Sequence, residues 1–540
     1  MHSTELKMAL TLNIPEVKDN PVVIAETRPQ EISKFLETLH SKNILDIAAH
    51  LLNELETLNR QKCSASVRVQ ALDTYRPMLI STAKTLADDY SNASLPLHDN
   101  AMLAATAAES LWLELGYGYK LVLIDLQNQL IKIGTDKSSA HAIQCAIHAI
   151  AEHALVCYQT YISTPSHIWG DLHQLYFCAV QLGIQNRSIQ DANMAAEEID
   201  QNSATRLTTS IENTYKHALL MSLADTQHLT QKDIRLIAEY LAYHVKNTQL
   251  TVVDPLEYIS GTFEINLKSN NPPNAYGKQK GVQNPNSDIL LQTIDLIRAI
   301  HQDLSMLQNA QLPKDGSIPA DANCNDYIIL LTHLIKHWGG SAKRIFNRST
   351  SDGRVELVSG ILAIHHASNN EFQTIEATNK HDGIEVHNVN AHLAAPSQWR
   401  ILNISATGMS IRRHPTAERD IQIGSLLGLK VKDGQHWALG LVRWANCGIR
   451  ERLDIGVQLI APEAQCATAL IDGKGHDEMV LLLPQIIAVH QVGSLIAPTG
   501  TYKKARQVTL KHNNEFTTVM LTKLIERSSH FERMQYNVIS

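Results

Sequence analysis

Residues 441–460, LVRWANCGIRERLDIGVQLI, hold two runs whose reading decides the class of the second half of the chain. The first run belongs to HWALGLVRWA (436–445) and the second ends in DIGVQLI (454–460). In DIGVQLI, Ile455, Val457 and Leu459 fall on one side, the period of two that a half-buried strand requires. Upstream, RVELVSGILAI (354–364) reads the same way. Downstream, RQVTLKHNNEFTTVMLTKL (506–524) gives two strand runs about Asn513-Asn514, the chemistry of a hairpin turn. From Gly339-Gly340 onward the pattern is therefore β.

Ahead of those glycines the period is different. Residues from about 31 to 250 read almost wholly helical. In ATRLTTSIENTYKHALLMSL (204–223), Ile211, Tyr215, Ala218 and Leu219 stand at i, i+4, i+7 and i+8, one buried stripe of a helix. LAATAAESLWLELGYGYKLVLIDL (103–126) is apolar on most faces and reads as a central helix, locally weakened by Gly116 and Gly118. Around 251–286 the character changes: TFEINL (262–267) is a short strand, and KSNNPPNAYGKQKGVQNPNS (268–287) is an exposed loop or linker. Two more helices are expected after it, one with Leu290, Ile294 and Ile297 on a face and one over NDYIILLTHLIKHW (325–338). Segregated helical and β stretches imply separate domains.

Composition narrows the class. A chain of 540 residues exceeds one core, and 44% hydrophobic against 19% charged residues is ordinary for globular domains. The net charge of −7 argues against bulk attraction to nucleic acid or anionic lipid. The seven cysteines are scattered and lack any CxxC spacing, which fits reduced thiols and a cytoplasmic protein. No run of eighteen apolar residues appears, so no membrane insertion is expected.

Two short segments carry the chemistry. The first is Lys343-Arg344-Ile345-Phe346-Asn347-Arg348, an Arg-x-x-x-Arg just before the first strand. The second is Asn403-Ile404-Ser405-Ala406-Thr407-Gly408, a polar turn between strands. Together with the Arg-Trp run and the Gly-Val of 441–460, this pairing resembles the PilZ domain family, over about residues 341–465. The resemblance implies an antiparallel β-barrel that binds cyclic di-GMP through RxxxR and (D/N)xSxxG. Arg344 and Arg348 would grip phosphate and guanine, and Asn403, Ser405 and Gly408 would form the floor. The chemistry agrees: arginine offers five fixed N–H donors for phosphate or a guanine edge, and asparagine offers a donor and an acceptor together. This sequence departs from the family in two respects: the basic flank before Arg344 is Lys343 alone, where many members have a second arginine, and 54 residues separate Arg348 from Asn403. The excess, NNEFQTIEATNKHDGIEVHNVNAHLAAPSQ (369–398), is polar and loop-like, and loop closure costs little for such an insertion.

Other groupings compete with this pairing. His141, Cys145 and His148 share a helical face near Glu152 and His153, and zinc accepts such ligands. A structural histidine stripe explains them better, and no metal is assigned. His365-His366, set in an apparent strand, reads likewise as structural. Cys157 and Cys178 read as buried thiols. Arg412-Arg413 reads equally as a basic rim for phosphate and as an exposed strand end. Trp444 reads as barrel core rather than as a platform for a base. No P-loop, GxSxG elbow or GxGxxG opening a helix is present.

The resulting expectation is a multidomain α-then-β chain. Residues 1–30 form an extension, and 31–338 an all-α helical domain with a loop near 268–287. Residues 341–465 form the PilZ-like barrel with an insertion at 368–398. Residues 475–540 form a further small β segment or second small barrel. The function expected is a cyclic di-GMP-binding effector, not an enzyme and without a cofactor, acting on a protein partner through the helical domain. The alternative is an interaction scaffold whose barrel no longer binds nucleotide.

Overall fold

The computed structural model describes residues 10–19, 21–128, 135–190, 208–252, 260–276, 288–340, 349–369, 395–415, 417, 420–431, 434, 436–448, 452–463, 465–471, 477–485, 492–513 and 515–539. The chain divides into two compact units. One comprises Met1–Ala93 with Asp99–Lys343, and the other Ser94–His98 with Arg344–Ser540.

The first unit opens with helices α1 (Pro29–Leu39), α2 (Ile44–Arg60), α3 (Ala65–Tyr90), α4 (Asp99–Asn128), α5 (Thr135–Gln159) and α6 (His167–Gln181). As its composition requires, α4 is central and packs against α2, α3 and α5. Gly118 leaves room for α3, since a Cβ there would run into the Leu72 side chain. Buried charge is paired: Lys120 Nζ lies 2.7 Å from Asp171 Oδ2, with both side chains almost fully covered. A small ribbon follows, β1 (Ser188–Gln190) against β2 (Thr208–Ser210), leading into α7 (Ile211–Leu223) and α8 (Gln231–His244). The predicted stripe Ile211, Tyr215, Ala218 and Leu219 is buried on α7. Strands β3 (Gln249–Val252), β4 (Thr262–Asn266), β5 (Asn274–Ala275) and β6 (Asp288–Gln292) then form a sheet in the order β3-β6-β4-β5. Leu290 therefore sits in a strand, not on the helix expected there; α9 (Ile294–Gln308) begins later, and α10 (Cys324–Trp338) closes the unit.

The second unit contains β7 (Ser349–Thr350), β8 (Arg354–Ser359), α11 (Gly360–Ser368), β9 (Ser397–Ser405), β10 (Gly408–Arg413), β11 (Leu426–Val431), β12 (Ala438–Gly448) and β13 (Arg452–Ala461). The sheet order is β10-β13-β12-β11-β8-β9-β7, and β9 also pairs with β10, so the first six strands close on themselves. Trp399, Ile401, Ile411, Ala445 and Ile455 fill the interior. The run RVELVSGILAI is not one strand: at Gly360 the backbone takes φ +86° and turns into α11. His365 and His366 are thus helical, and His365 Nε2 lies 2.8 Å from the Val480 carbonyl oxygen.

The tail is a complete second barrel. Strands β14 (Gln465–Ile471), β15 (Glu478–Leu483), β16 (Ser494–Ala497), β17 (Gln507–His512), β18 (Glu515–Arg527) and β19 (Glu532–Val538) close in the order β14-β15-β16-β19-β18-β17. The predicted hairpin joins β17 to β18, with His512 opposite Glu515 and Asn513 at φ +49°. A shared apolar cluster, including Leu439, Leu441, Ile460, Leu481, Ile496 and Phe531, packs the two barrels together beneath α11.

Candidate functional site

The polar turn is the hairpin between β9 and β10. Ser405 opposes Gly408 across the two-residue link Ala406-Thr407, and the Ser405 hydroxyl donates to the Gly408 carbonyl at 3.1 Å. A Cβ on Gly408 would collide with the Val457 carbonyl oxygen of β13, so strand contact alone demands glycine here.

Two bulges decide which face the site occupies. On β9, strict alternation from Trp399 and Ile401 would send Asn403 into the interior. The register slips instead: Ile401 pairs with Ile411, but Asn403 pairs with Ser410, leaving Leu402 as the extra residue. On β12, alternation from the interior Val442 would bury Trp444. There too the register slips, because Val442 pairs with Val457 and Trp444 with Gly456, with Arg443 extra. A bulge re-aims the side chains beyond it. Cross-strand partners share a face, so Thr350, Asn403, Ser410, Gly456 and Trp444 form one row on the outer face of the barrel. The expected core role of Trp444 is corrected: its indole lies over Gly456, where a Cβ would fall within the ring. The result is an outward row in which Ser410 and Gly456 are buried, Gly456 beneath the half-buried Trp444 indole, with the half-buried Asn403 amide on the far side of Ser410.

Next to it lies a charged row. Arg412 donates to Asp454 at 2.6 and 3.0 Å, and Arg452 to the same carboxylate at 2.6 Å. Burial pushes the Asp454 carboxyl up, but those hydrogen bonds outweigh it and hold the group below the usual carboxylate range. Arg413 donates to the carbonyls of Pro415 and Ala417. The pair Arg412-Arg413 is thus committed within the barrel. Arg443, the bulge residue, reaches Glu526 of the second barrel at 2.7 Å.

Of the five expected site residues, Asn403, Ser405 and Gly408 sit together at the β9–β10 hairpin. Arg344 and Arg348 lie outside the described residues. The first described residue after them is Ser349, and Ser349 is registered with Ile404, the neighbour of both Asn403 and Ser405.

The helical histidine stripe does not converge as a ligand set. His141 Nε2 lies 2.9 Å from Asp73, and His148 packs edge-on against Trp112. A different group, Glu109, His153 and Cys157, brings its ligand atoms close together, His153 Nε2 lying 3.1 Å from Glu109. Burial pushes the Cys157 thiol up to about 12, as expected of a covered cysteine.

Comparison with known proteins matches this architecture part by part. Residues 30–255 match the family described as the N-terminal domain of the cyclic-di-GMP receptor FimW. Residues 262–399 and 373–466 match its middle PilZ domain, and 466–539 its C-terminal β-barrel domain. The cyclic-di-GMP receptor FimW of Pseudomonas aeruginosa is 23% identical, over 98% of this chain and 93% of its own length. No solved structure matches the chain. No described helix is long and apolar enough to cross a membrane. A helical region followed by a closed PilZ barrel and a second barrel, matched from residue 30 to residue 539, makes this chain a member of the PilZ-domain proteins.

Proposed function

We propose that this chain is a non-catalytic cytoplasmic effector that binds cyclic di-GMP on the outer face of its first barrel. In this reading Arg344 and Arg348 hold phosphate and guanine. Asn403 reads a base edge, Ser405 and Gly408 keep the hairpin low, and Trp444 stacks on a guanine. The helical domain then carries the response to a protein partner, provided ligand affinity differs between its states.

The observation that carries this reading is the pair of bulges. Two independent slips, on β9 and β12, turn Asn403 and Trp444 out of the core and onto one row, with only Ser410 and Gly456 between them. Bulges also curve and close a barrel. What bears on a ligand is that a planar base needs an aromatic face and a mixed donor–acceptor edge close together, and these two slips bring Trp444 and Asn403 onto one row. Connectivity adds support. The basic segment joins the sheet at Ser349, beside Ile404, so the chain enters the barrel at the hairpin that carries Asn403 and Ser405. The name of the Pseudomonas relative points to the same ligand.

A charge-assisted hydrogen bond contributes about 1.5–3 kcal/mol. Arg348→Ala is therefore expected to weaken cyclic di-GMP binding about tenfold to several hundredfold by isothermal calorimetry. Unchanged affinity removes Arg348 from the site, and absence of binding by the wild-type chain favours a scaffold.

A further inference from the structure

The row beside the proposed base site starts with three arginines and runs on to Asp454 and Asn446. Arg354 of β8 stands directly opposite Arg400 of β9, and Arg400 directly opposite Arg412 of β10. Like charges facing each other across an antiparallel pair repel. Of the three, Arg412 is answered by the covered Asp454. Arg400 has Asp352 at 2.7 Å, but those side chains are 62% and 79% exposed, and such a pair contributes little and exchanges readily. Among the described residues Arg354 has no ion pair. Glu356, next along that face of β8, accepts from the Gln398 amide at 3.0 Å.

The row lies one step along the strands from Thr350–Asn403–Ser410–Gly456–Trp444, about 7 Å away. All three guanidinium groups face outward, because their chain neighbours Val355, Trp399, Ile401 and Ile411 are buried in the interior. We propose that Arg354 and Arg400 are a second phosphate contact of the cyclic dinucleotide site, fixing the sugar–phosphate ring while its base lies over the Asn403–Trp444 row. The proposal rests on the reading of the site given above and adds two residues to it. Guanidinium is suited to this role, since its planar fork meets two phosphate oxygens at once. A bound phosphodiester sets negative charge against the like charges that the apo barrel holds side by side, so both arginines favour the ligand-bound state.

The test uses the full chain and cyclic di-GMP, titrated by calorimetry at several salt concentrations. Arg354→Gln and Arg400→Gln are each expected to weaken binding about tenfold. The double variant is expected to weaken it further and to flatten the dependence of log Kd on log salt concentration. Its apo melting temperature is expected to hold or rise, because a repulsion has been removed; this keeps a folding defect from passing as a result. A double variant that binds with wild-type affinity and wild-type salt slope overturns the proposal. If that variant still binds while Arg344→Ala/Arg348→Ala does not, only the second contact fails. If the wild-type chain does not bind, the site reading fails and this proposal with it.

Discussion

Single residues show most clearly what the sequence makes legible and what it hides. The turn of Asn403, Ser405 and Gly408 is legible because a polar, glycine-bearing segment between apolar runs is the ordinary signature of a turn, and only the family resemblance ties it to a ligand. Trp444 was not, because period two from Val442 sends it inside, and only the slip at Arg443 turns it out. Bulges leave no mark on alternation short of the residue they displace. His141 illustrates a different point. Its hydrogen bond to Asp73, and next its contact with Cys145, raise it from the ordinary histidine value to about 10. A group raised on folding gives stability that is complete below its unfolded value and is lost as pH rises through the folded one. The wild-type advantage over His141→Gln in urea midpoint should therefore be full near pH 6 and fade between about pH 6.5 and pH 10. An advantage that is constant across that range would show that the pair does not titrate as its geometry requires.

At the scale of elements, short apolar runs were the weak point. RVELVSGILAI and the Leu290 segment each contain apolar residues that suit either period, so strand and helix could not be separated there. The outcome turned on local backbone: Gly360, with its positive φ, ends β8 and starts α11, and β6 is held by pairing with both β3 and β4. The longer patterns, such as the α7 stripe and the β17–β18 hairpin, stood as read. Gly408 belongs to this scale, because its lack of a side chain serves the contact of β10 with β13. Gly408→Ala is expected to destabilise the β unit by about 1–3 kcal/mol in the absence of any ligand, read by chemical denaturation. Undisturbed stability with lost cyclic di-GMP binding would return that glycine to the ligand.

For the whole molecule, the order of helical and β stretches was visible as a change of period at Gly339-Gly340, and the compact units divide between Lys343 and Arg344. Closure of the last strands into their own barrel was not visible, since register and closure depend on pairings between residues far apart in the chain, β14 with β17 among them. The proposed function requires that a cyclic dinucleotide lie on the outer row containing Trp444. The chain has six tryptophans, so 5-fluorotryptophan labelling gives a resolvable fluorine spectrum, with Trp444→Phe assigning its line. Saturating cyclic di-GMP should shift the Trp444 resonance more than any other. A Trp444 line that stays in place while ligand is demonstrably bound would contradict the account.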